Sequence, residues 1–279
     1  MTASPDPATA PTPTASPTTS SATTSSATTG GRPAMEAVVP PAGETGPVSL
    51  PRRALAEAVG TALLVTVVVG SGIMAARLSP DDVGVQLLEN STATAFGLAA
   101  LILMFGPVSG AHFNPVVTFA DCLLQGRPLR DAVAYVPAQV LGAVGGAALA
   151  NLMFDLPAVT AAERDRAEPH LWLGEAVATL GLILLVFALV RTGRTALAAP
   201  AVGAYIGAAY WFTSSTSFAN PAVTAGRAFS DTFAGIAPAS VPGFVAAQLA
   251  GAAIGAALVA VFHPVSAPGR TAGAAVDGR

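Results

Sequence analysis

Charged residues are scarce in this chain of 279 residues. They make up only 10%, whereas a typical soluble domain carries about 25%. Hydrophobic residues account for 52%, and the mean hydropathy is +0.61. Such a composition excludes an ordinary soluble domain and indicates a membrane protein. The net charge of -3, with arginine as the sole basic residue type, gives no sign of nucleic-acid binding.

Patterns for catalysis and cofactor binding are missing as well. The single cysteine, Cys122, excludes an internal disulfide and a cysteine metal cluster. The chain has no Gly-rich phosphate loop, no His-x-x-x-His pattern and no paired carboxylates. Ser109 and His112 are close in sequence but lack an orienting acid and a nucleophile elbow. We therefore predict no enzyme activity, no cofactor and no metal site.

The N-terminal residues are mostly Thr, Ser, Pro and Ala, with almost no large apolar side chain. This composition cannot bury enough surface to offset the entropy lost on folding, so residues 1–50 are predicted to be a disordered tail. A signal peptide is not expected, because no apolar core precedes Arg52. A membrane domain is predicted at 51–264 and a flexible C-terminal tail at 265–279.

Six apolar stretches are predicted to span the membrane. They run roughly over 54–76, 90–105, 132–154, 171–190, 197–213 and 241–262. Each is near the ~20 residues that a bilayer requires, the second and fifth being short. With the N-terminus inside, most arginines fall on the cytoplasmic side, as the positive-inside rule requires. The arginines expected outside or in the outer vestibule are Arg77, Arg164, Arg166 and Arg227.

A short motif occurs twice, as Asn-Pro-Val-Val-Thr at 114–118 and as Asn-Pro-Ala-Val-Thr at 220–224. Asn favours the N-cap of a helix and Pro its first position, so each copy predicts an irregular segment that turns into a helix. Both helices are expected to end too early to span a bilayer, at about Leu124 and Phe229. Two half-helices in matching positions indicate a wet pathway between them.

The two halves of the membrane domain repeat one another. The segment around Glu57 matches the segment around Glu175, and Gln139 with its following glycines matches Gln248 with its own. Each half, about 54–154 and 171–263, has three spans, so the second half must be inserted upside down. The predicted fold is therefore an all-α membrane protein with six transmembrane helices and two re-entrant half-helices in an inverted repeat.

These twin motifs resemble those of the major intrinsic protein family, the aquaporins and glycerol facilitators. The resemblance covers roughly residues 54–263. It implies a passive channel in the plasma membrane for water and small uncharged solutes such as glycerol-like polyols. It also implies a homotetramer with one pore per subunit, while the arginine placement predicts cytoplasmic termini. The predicted partners are these neutral solutes and the lipid bilayer.

The two motifs are expected to form the centre of the pore. Each Asn amide can donate to a passing oxygen, and each stands at the positive end of a half-helix. Two such ends facing each other make the centre hostile to cations and protons. A single copy would favour a plain N-cap, but two copies in a duplicated scaffold favour the pore role. The predicted centre comprises Asn114, Pro115, Val116, Asn220, Pro221 and Ala222.

Three further residues are assigned to the loops and their support. The resemblance places His112 near the inner mouth, and a structural hydrogen bond within the loop is the alternative role. Glu57 and Glu175 are acids inside apolar spans and therefore need partners. In the resembled family the equivalent acids accept hydrogen bonds from the two loops, and we assign these two that supporting role. A proton relay is the alternative, but the spans offer no second member.

The position after the second Asn-Pro-Ala departs from the family pattern. Family members usually carry an Arg there, which forms a narrow outer filter, whereas this chain carries Val223. The nearest arginine, Arg227, lies one helical turn further out and is expected in the vestibule. A competing idea makes Arg227 itself the filter cation.

The remaining filter walls follow from counting along the chain. Counting back from the first motif without a gap gives Thr94 in the second span, and a small deletion gives Phe96. Thr94 is preferred. The wall in the fifth span falls between Ala208 and Tyr210, with Ala209 at its middle, and the loop contributes Ser217 or Phe218.

This filter is expected to be wider and less polar than that of a strict water pore. Members of the family with such a Val are associated with arsenite-type metalloid solutes, which the resemblance extends to this chain as an expectation. The alternative function is a secondary transporter, which also uses inverted repeats and broken helices. A transporter needs a titratable group or ion site at the midplane, and the sequence offers none there.

Overall fold

The computed structural model describes residues 48–264, which form eight α-helices and two short 3-10 turns. In chain order the helices are α1 Leu50–Leu78, α2 Val83–Ser109, α3 Pro115–Gln125, α4 Leu129–Met153, α5 Pro169–Arg191, α6 Ala198–Phe212, α7 Pro221–Arg227 and α8 Val241–Phe262. The predicted tail at 265–279 lies outside the described residues. So does the predicted tail at 1–50, except for residues 48–50. The all-α arrangement confirms the predicted fold class.

Five helices are long and apolar enough to cross a membrane: α1, α2, α4, α5 and α8 together with the turn before it. The sixth, α6, has 15 residues and is about 22 Å long, so it is the shortest of the spans. The sequence predicted this short span. It also predicted a short second span, and there the structure differs, since α2 has 27 residues.

Helix α2 is longer than predicted because its polar residues face protein rather than lipid. Asp82 caps the helix by accepting a hydrogen bond from the N–H of Val85. Asn90, which looked like the edge of the apolar stretch, is buried and donates to the carbonyl of Val68 and the hydroxyl of Ser71. Polar side chains with such partners are compatible with a spanning helix, and hydropathy alone could not show the partners.

The half-helices α3 and α7 begin as predicted, each with Asn at the N-cap and Pro at the first position. Helix α3 has 11 residues and α7 has 7, so both are too short to cross a bilayer. Helix α7 ends at Arg227, two residues before the predicted end at Phe229. Each half-helix also packs against the last long helix of the other half, α3 against α8 and α7 against α4.

Glycines allow the long helices of each half to approach closely. A Cβ on Gly142 would lie 2.2 Å from the carbonyl oxygen of Ala58, and one on Gly146 would lie 2.1 Å from that of Ala62. The second half repeats this contact, since a Cβ on Gly251 would lie 2.2 Å from the carbonyl oxygen of Ala176. The G-x-x-x-G pattern therefore serves helix packing, as the sequence predicted.

This packing predicts opposite effects for two neighbouring glycines. Gly146→Ala should destabilise the protein by about 1–3 kcal/mol, because the added methyl has no space and the helices must separate. Gly145→Ala is the matched control, since its Cβ would meet nothing within 4 Å and Ala favours the helix. Thermal unfolding of both variants in detergent measures the difference. Equal melting temperatures would contradict the close contact between α1 and α4.

Candidate functional site

A cavity of about 640 Å³ lies between the two halves of the molecule. It follows the whole of α6, since Thr195 just before this helix and Tyr210 near its end both line the cavity. The loops before α3 and α7 contribute its polar backbone, while α1, α2, α5 and α6 contribute mostly apolar side chains. One end of the molecule carries the start of α1 and the end of α8, and is called the terminal end. The opposite end carries residues 154–168 and is called the loop end.

Asn114 and Asn220 meet in the cavity and bind each other's loop. The Nδ2 of Asn114 donates to the carbonyl oxygen of Ala219 at 2.7 Å, and the Nδ2 of Asn220 donates to that of Phe113, also at 2.7 Å. Their Oδ1 atoms accept from backbone N–H groups of α3 and α7 at 3.0–3.2 Å. Each amide thus caps its own half-helix and ties it to the opposite half.

This arrangement leaves each amide with one N–H that has no partner among residues 48–264. An Asn amide carries two N–H donors, and only one is used in the bond across the halves. Asn114 and Asn220 both line the cavity. The half-helices also point their positive ends at this place. The site therefore offers two donors and a positive potential to whatever passes, which suits a neutral oxygen and disfavours a cation.

The backbone of both loops adopts the same unusual conformation. In the first loop Gly110, Ala111 and Phe113 have positive φ angles of 95°, 50° and 50°. The corresponding residues of the second loop, Thr216, Ser217 and Ala219, have φ angles of 63°, 48° and 48°. A left-handed conformation costs a residue with a side chain about 1–2 kcal/mol. Because both loops keep this left-handed conformation at matching positions, their backbone must be held by strong hydrogen bonds.

The carboxylate of Glu57 is that partner for the first loop. It accepts from the N–H groups of His112 at 3.0 Å and Phe113 at 2.6 Å, from the hydroxyl of Ser109 and from Nε2 of Gln139. Glu57 is fully buried and does not line the cavity. Because the loop N–H groups point back to this carboxylate, carbonyl groups of the loop are left to face the cavity.

Glu175 holds the second loop in the same way. It accepts from the N–H groups of Phe218 and Ala219, both at 2.8 Å, and from Nε2 of Gln248 at 2.7 Å. Gln248 also donates to the hydroxyl of Thr224 on α7, as Gln139 does to Thr118 on α3. The sequence used the two glutamines only as repeat markers. They connect each loop to its half-helix, and their matching positions were the signal that could have revealed this.

The other predicted residues of the centre lie behind the cavity. Pro115, Val116, Pro221 and Ala222 form the first turns of α3 and α7 and do not line the cavity. Their contribution is to start each half-helix at the place where its Asn can reach the opposite loop.

His112 lines the cavity towards the terminal end. Its Nδ1 lies 3.0 Å from the hydroxyl of Thr118, and its Nε2 lies 3.4 Å from the carboxylate of Asp121. Asp121 is also paired with Arg127, and both of these line the cavity too. These contacts at the start of α3 correspond to the structural role that the sequence left open. The place of His112 near the inner mouth stays a prediction. Asp121 and Arg127 were not predicted.

Thr94 and Tyr210 face the cavity nearer the loop end and are joined by a hydrogen bond of 3.2 Å between their hydroxyls. The alternative residue in α2, Phe96, is 73% exposed on the outer surface. Ala209, the middle of the range predicted in α6, is fully buried and does not line the cavity. Tyr210 takes its place, since one step along a helix turns the side chain by about 100°.

Val223, Ser217 and Phe218 complete this region of the wall. The hydroxyl of Ser217 is buried and has no hydrogen-bond partner among the described residues. The guanidinium carbon of Arg227 lies 3.4 Å from the ring centre of Phe218, and its Nε donates to the carbonyl of Ala234. Arg227 also lines the cavity, so a positive charge stands one turn beyond Val223. The role of each residue in selection stays a prediction.

Known proteins resemble this chain in sequence and in fold. The family model for the major intrinsic proteins matches residues 44–214. Aquaglyceroporin AqpS of Rhizobium meliloti (strain 1021) is 51% identical over 210 residues, covering 75% of this chain and 89% of that protein. A probable TIP-type aquaporin of Medicago truncatula is 34% identical over 206 residues, covering 69% and 80%. The X-ray structure of the aquaglyceroporin from Plasmodium falciparum, 19% identical, covers 76% of this chain and 96% of its own with a TM-score of 0.59, which shows the same fold.

The loop clamp predicts a loss of stability in Glu175→Gln. The new amide has two orientations. In one its NH2 group faces the N–H of Phe218, and in the other it faces the N–H of Ala219 and the NH2 of Gln248, so at least one donor loses its acceptor in either case. Each buried donor left without an acceptor costs about 1–3 kcal/mol, so the melting temperature in detergent should fall by several degrees. Glu168→Gln is the control, because that side chain is 71% exposed. Identical melting curves for the two variants would disprove the clamp.

Proposed function

The chain belongs to the major intrinsic protein family and is a channel for water and glycerol-type solutes, and we propose that the cavity between its halves is the pore. It is not an enzyme. The observation that carries the proposal is the pair of Asn amides, each tied to the opposite loop and each with one free donor in the cavity. A neutral hydroxyl compound can exchange its hydrogen bonds with water for these donors and the loop carbonyls.

Passive flow is favoured over coupled transport by the placement of titratable groups. Among the described residues that line the cavity, the charged or titratable side chains are His112, Asp121, Arg127, Tyr210 and Arg227, all outside its centre. Glu57 and Glu175 are near the centre but are fully buried behind the loops, with their oxygens occupied by loop and glutamine donors. Residues 48–264 therefore place no ion or proton site at the centre by which a transporter would couple energy.

Thr94, Tyr210, Val223 and the second loop are proposed to select the solute. The two hydroxyls can donate to or accept from a solute hydroxyl. Val223 offers an apolar surface where most of the family carries a bulky cation. Such a wall suits small neutral polyols, and we propose that arsenite-type metalloid hydroxides, which share their shape and hydroxyl groups, also pass.

We further propose a homotetramer in the plasma membrane, with one pore in each subunit and the terminal end in the cytoplasm. The positive-inside rule supports this orientation, because the terminal end holds Arg53 and Arg127, paired with acids, and Arg191 near His263. Exclusive labelling of an N-terminal tag from outside intact cells would contradict the orientation. The tetramer would be contradicted if the detergent-corrected mass of the purified protein were that of a monomer and the same preparation gave full solute flux after reconstitution.

Cation exclusion at the centre predicts a leak in Asn220→Asp. The new carboxylate would lose the bond to Phe113 and would cancel part of the positive potential of the half-helices. Proton or sodium flux into proteoliposomes should become measurable, with glycerol flux retained or lowered. Asn151→Asp is the matched control, because Asn151 is also a buried amide that donates to two backbone carbonyls but does not line the cavity. An unchanged cation flux in folded Asn220→Asp would refute the role.

Two substitutions separate the candidates for the filter. If Val223 forms the filter wall, Val223→Arg should narrow the opening and lower glycerol and arsenite flux about tenfold while lowering water flux less. Arg227→Ala should then leave the size cut-off unchanged. If Arg227 is the filter cation, Arg227→Ala should admit larger solutes and Val223→Arg should change little.

Stopped-flow light scattering of proteoliposomes with water, glycerol, urea and arsenite measures both variants. Arg77→Ala, at an exposed arginine of the loop end whose guanidinium binds the carbonyl of Phe154, is the control for loss of a positive charge there. Equal loss of water and glycerol flux in well-folded Val223→Arg would count against the role of Val223.

A further inference from the structure

Three arginines gather around a second, smaller cavity at the loop end. This cavity has a volume of about 80 Å³, and Arg164, Arg166 and Arg227 line it together with Asn90 and Thr216. Arg166 and Arg227 are almost completely buried, with 5% and 2% of their surface exposed. Arg227 lines the pore as well, so the small cavity adjoins the pore wall.

Within residues 48–264, these arginines have no acidic partner, unlike Arg53 and Arg127 at the terminal end. Arg53 and Arg127 pair with Asp131 and Asp121. Within residues 48–264, the guanidinium groups of the other three donate only to backbone carbonyls: Arg164 to Phe233, Arg166 to Gly235 and Ser215, and Arg227 to Ala234. Both terminal nitrogens of Arg227 are without a hydrogen-bond partner in this part of the chain.

The positive charges also lie close to one another. The guanidinium carbon of Arg166 lies 5.0 Å from the ring centre of Phe218, and that of Arg227 lies 3.4 Å from the same ring centre. Because both carbons are close to one ring, the distance between them cannot exceed the sum of these two distances. Burial, and then the charges of Arg227 and Arg164, lower the pKa of Arg166 to about 9. A guanidinium with that pKa is still charged at pH 7.

An unpaired buried charge is costly, and a structure that keeps two of them side by side needs a compensating group. The ring of Phe218 supplies part of it through cation–π contacts. The carboxylate of Glu175 stabilises both charges electrostatically, but its hydrogen bonds go to the loop and to Gln248 and it forms no salt bridge with either arginine. Because no acidic side chain within residues 48–264 forms a salt bridge with these arginines, the cluster has room for a negative charge supplied from solution.

We propose that the 80 Å³ cavity binds one small inorganic anion. The volume has room for a few water molecules or a compact anion such as chloride or phosphate. Guanidinium groups present paired N–H donors that match the oxygens of a phosphate, and the Thr216 hydroxyl supplies another donor in the wall. The bound anion would tie the loop of residues 154–168, through Arg164 and Arg166, to the end of α7 through Arg227.

Binding of this anion is measured on the purified full-length protein in detergent, independently of any flux. Sodium gluconate is replaced by sodium chloride or sodium phosphate at constant ionic strength and pH, and the melting temperature is followed. A ligand that binds only the folded state raises the melting temperature by roughly 3–6 °C for each tenfold excess over its dissociation constant. Chloride or phosphate should raise it saturably, whereas gluconate, too large for the cavity, should not.

Arginine variants show whether the effect belongs to this cavity. Arg164→Gln changes an exposed residue and should fold, and it should reduce the anion-dependent shift by at least half; Arg166→Gln should abolish it. Arg130→Gln, whose side chain is 79% exposed at the terminal end, should keep the full shift and so corrects for general salt effects. A shift that is absent in the wild type, or equal in Arg164→Gln and Arg130→Gln, would overturn the proposal.

Discussion

The constraint on which this structure depends is that loop backbone in the middle of a membrane protein must find hydrogen-bond partners other than lipid. Two buried carboxylates meet that constraint. Glu57 and Glu175 each accept from two consecutive loop N–H groups and from a glutamine that also reaches the half-helix. Because the carboxylates accept from the loop N–H groups on the side away from the cavity, loop carbonyls are left to face the cavity. These hydrogen bonds also offset the conformational cost of the left-handed residues. The polar pathway is thus a consequence of where the acids stand.

The same bonds make the two halves dependent on each other. Each Asn at the tip of a half-helix donates to the loop of the opposite half, so neither loop has its final geometry alone. The packing of α3 against α8 and of α7 against α4 extends this dependence to the long helices. Because the contact is reciprocal, the two positive helix ends are held face to face at a fixed separation. The proposed electrostatic barrier would then require no charged side chain at the centre.

The sequence predicted what is local or repeated. Asn-Pro starts of the half-helices, the glycine faces and the short α6 are each encoded in a few neighbouring residues, and the duplication identified Glu57 and Glu175 as a pair. Predictions that needed tertiary contacts were less complete. The predicted second span began too late, at Asn90, because the sequence does not show that Asn90 has hydrogen-bond partners on α1. In the range from Ala208 to Tyr210, Ala209 was named although Tyr210 lines the cavity, because the length of the second loop left the register of this helix open.

The absence of an arginine beside the second Asn-Pro-Ala moves a positive charge rather than removing it. Arg227 stands one turn further out, held by Phe218 and the carbonyl of Ala234, and still lines the cavity. A guanidinium at Val223 would project into the pathway, whereas one at Arg227 is pinned against an aromatic ring and a loop. The pathway therefore keeps a positive potential at its loop end without the bulk at its wall. Under the proposed function, Thr94, Tyr210 and Val223 would select by size, and Arg227 and the helix ends would select by charge. The two functions that one arginine usually combines would then be divided between different residues.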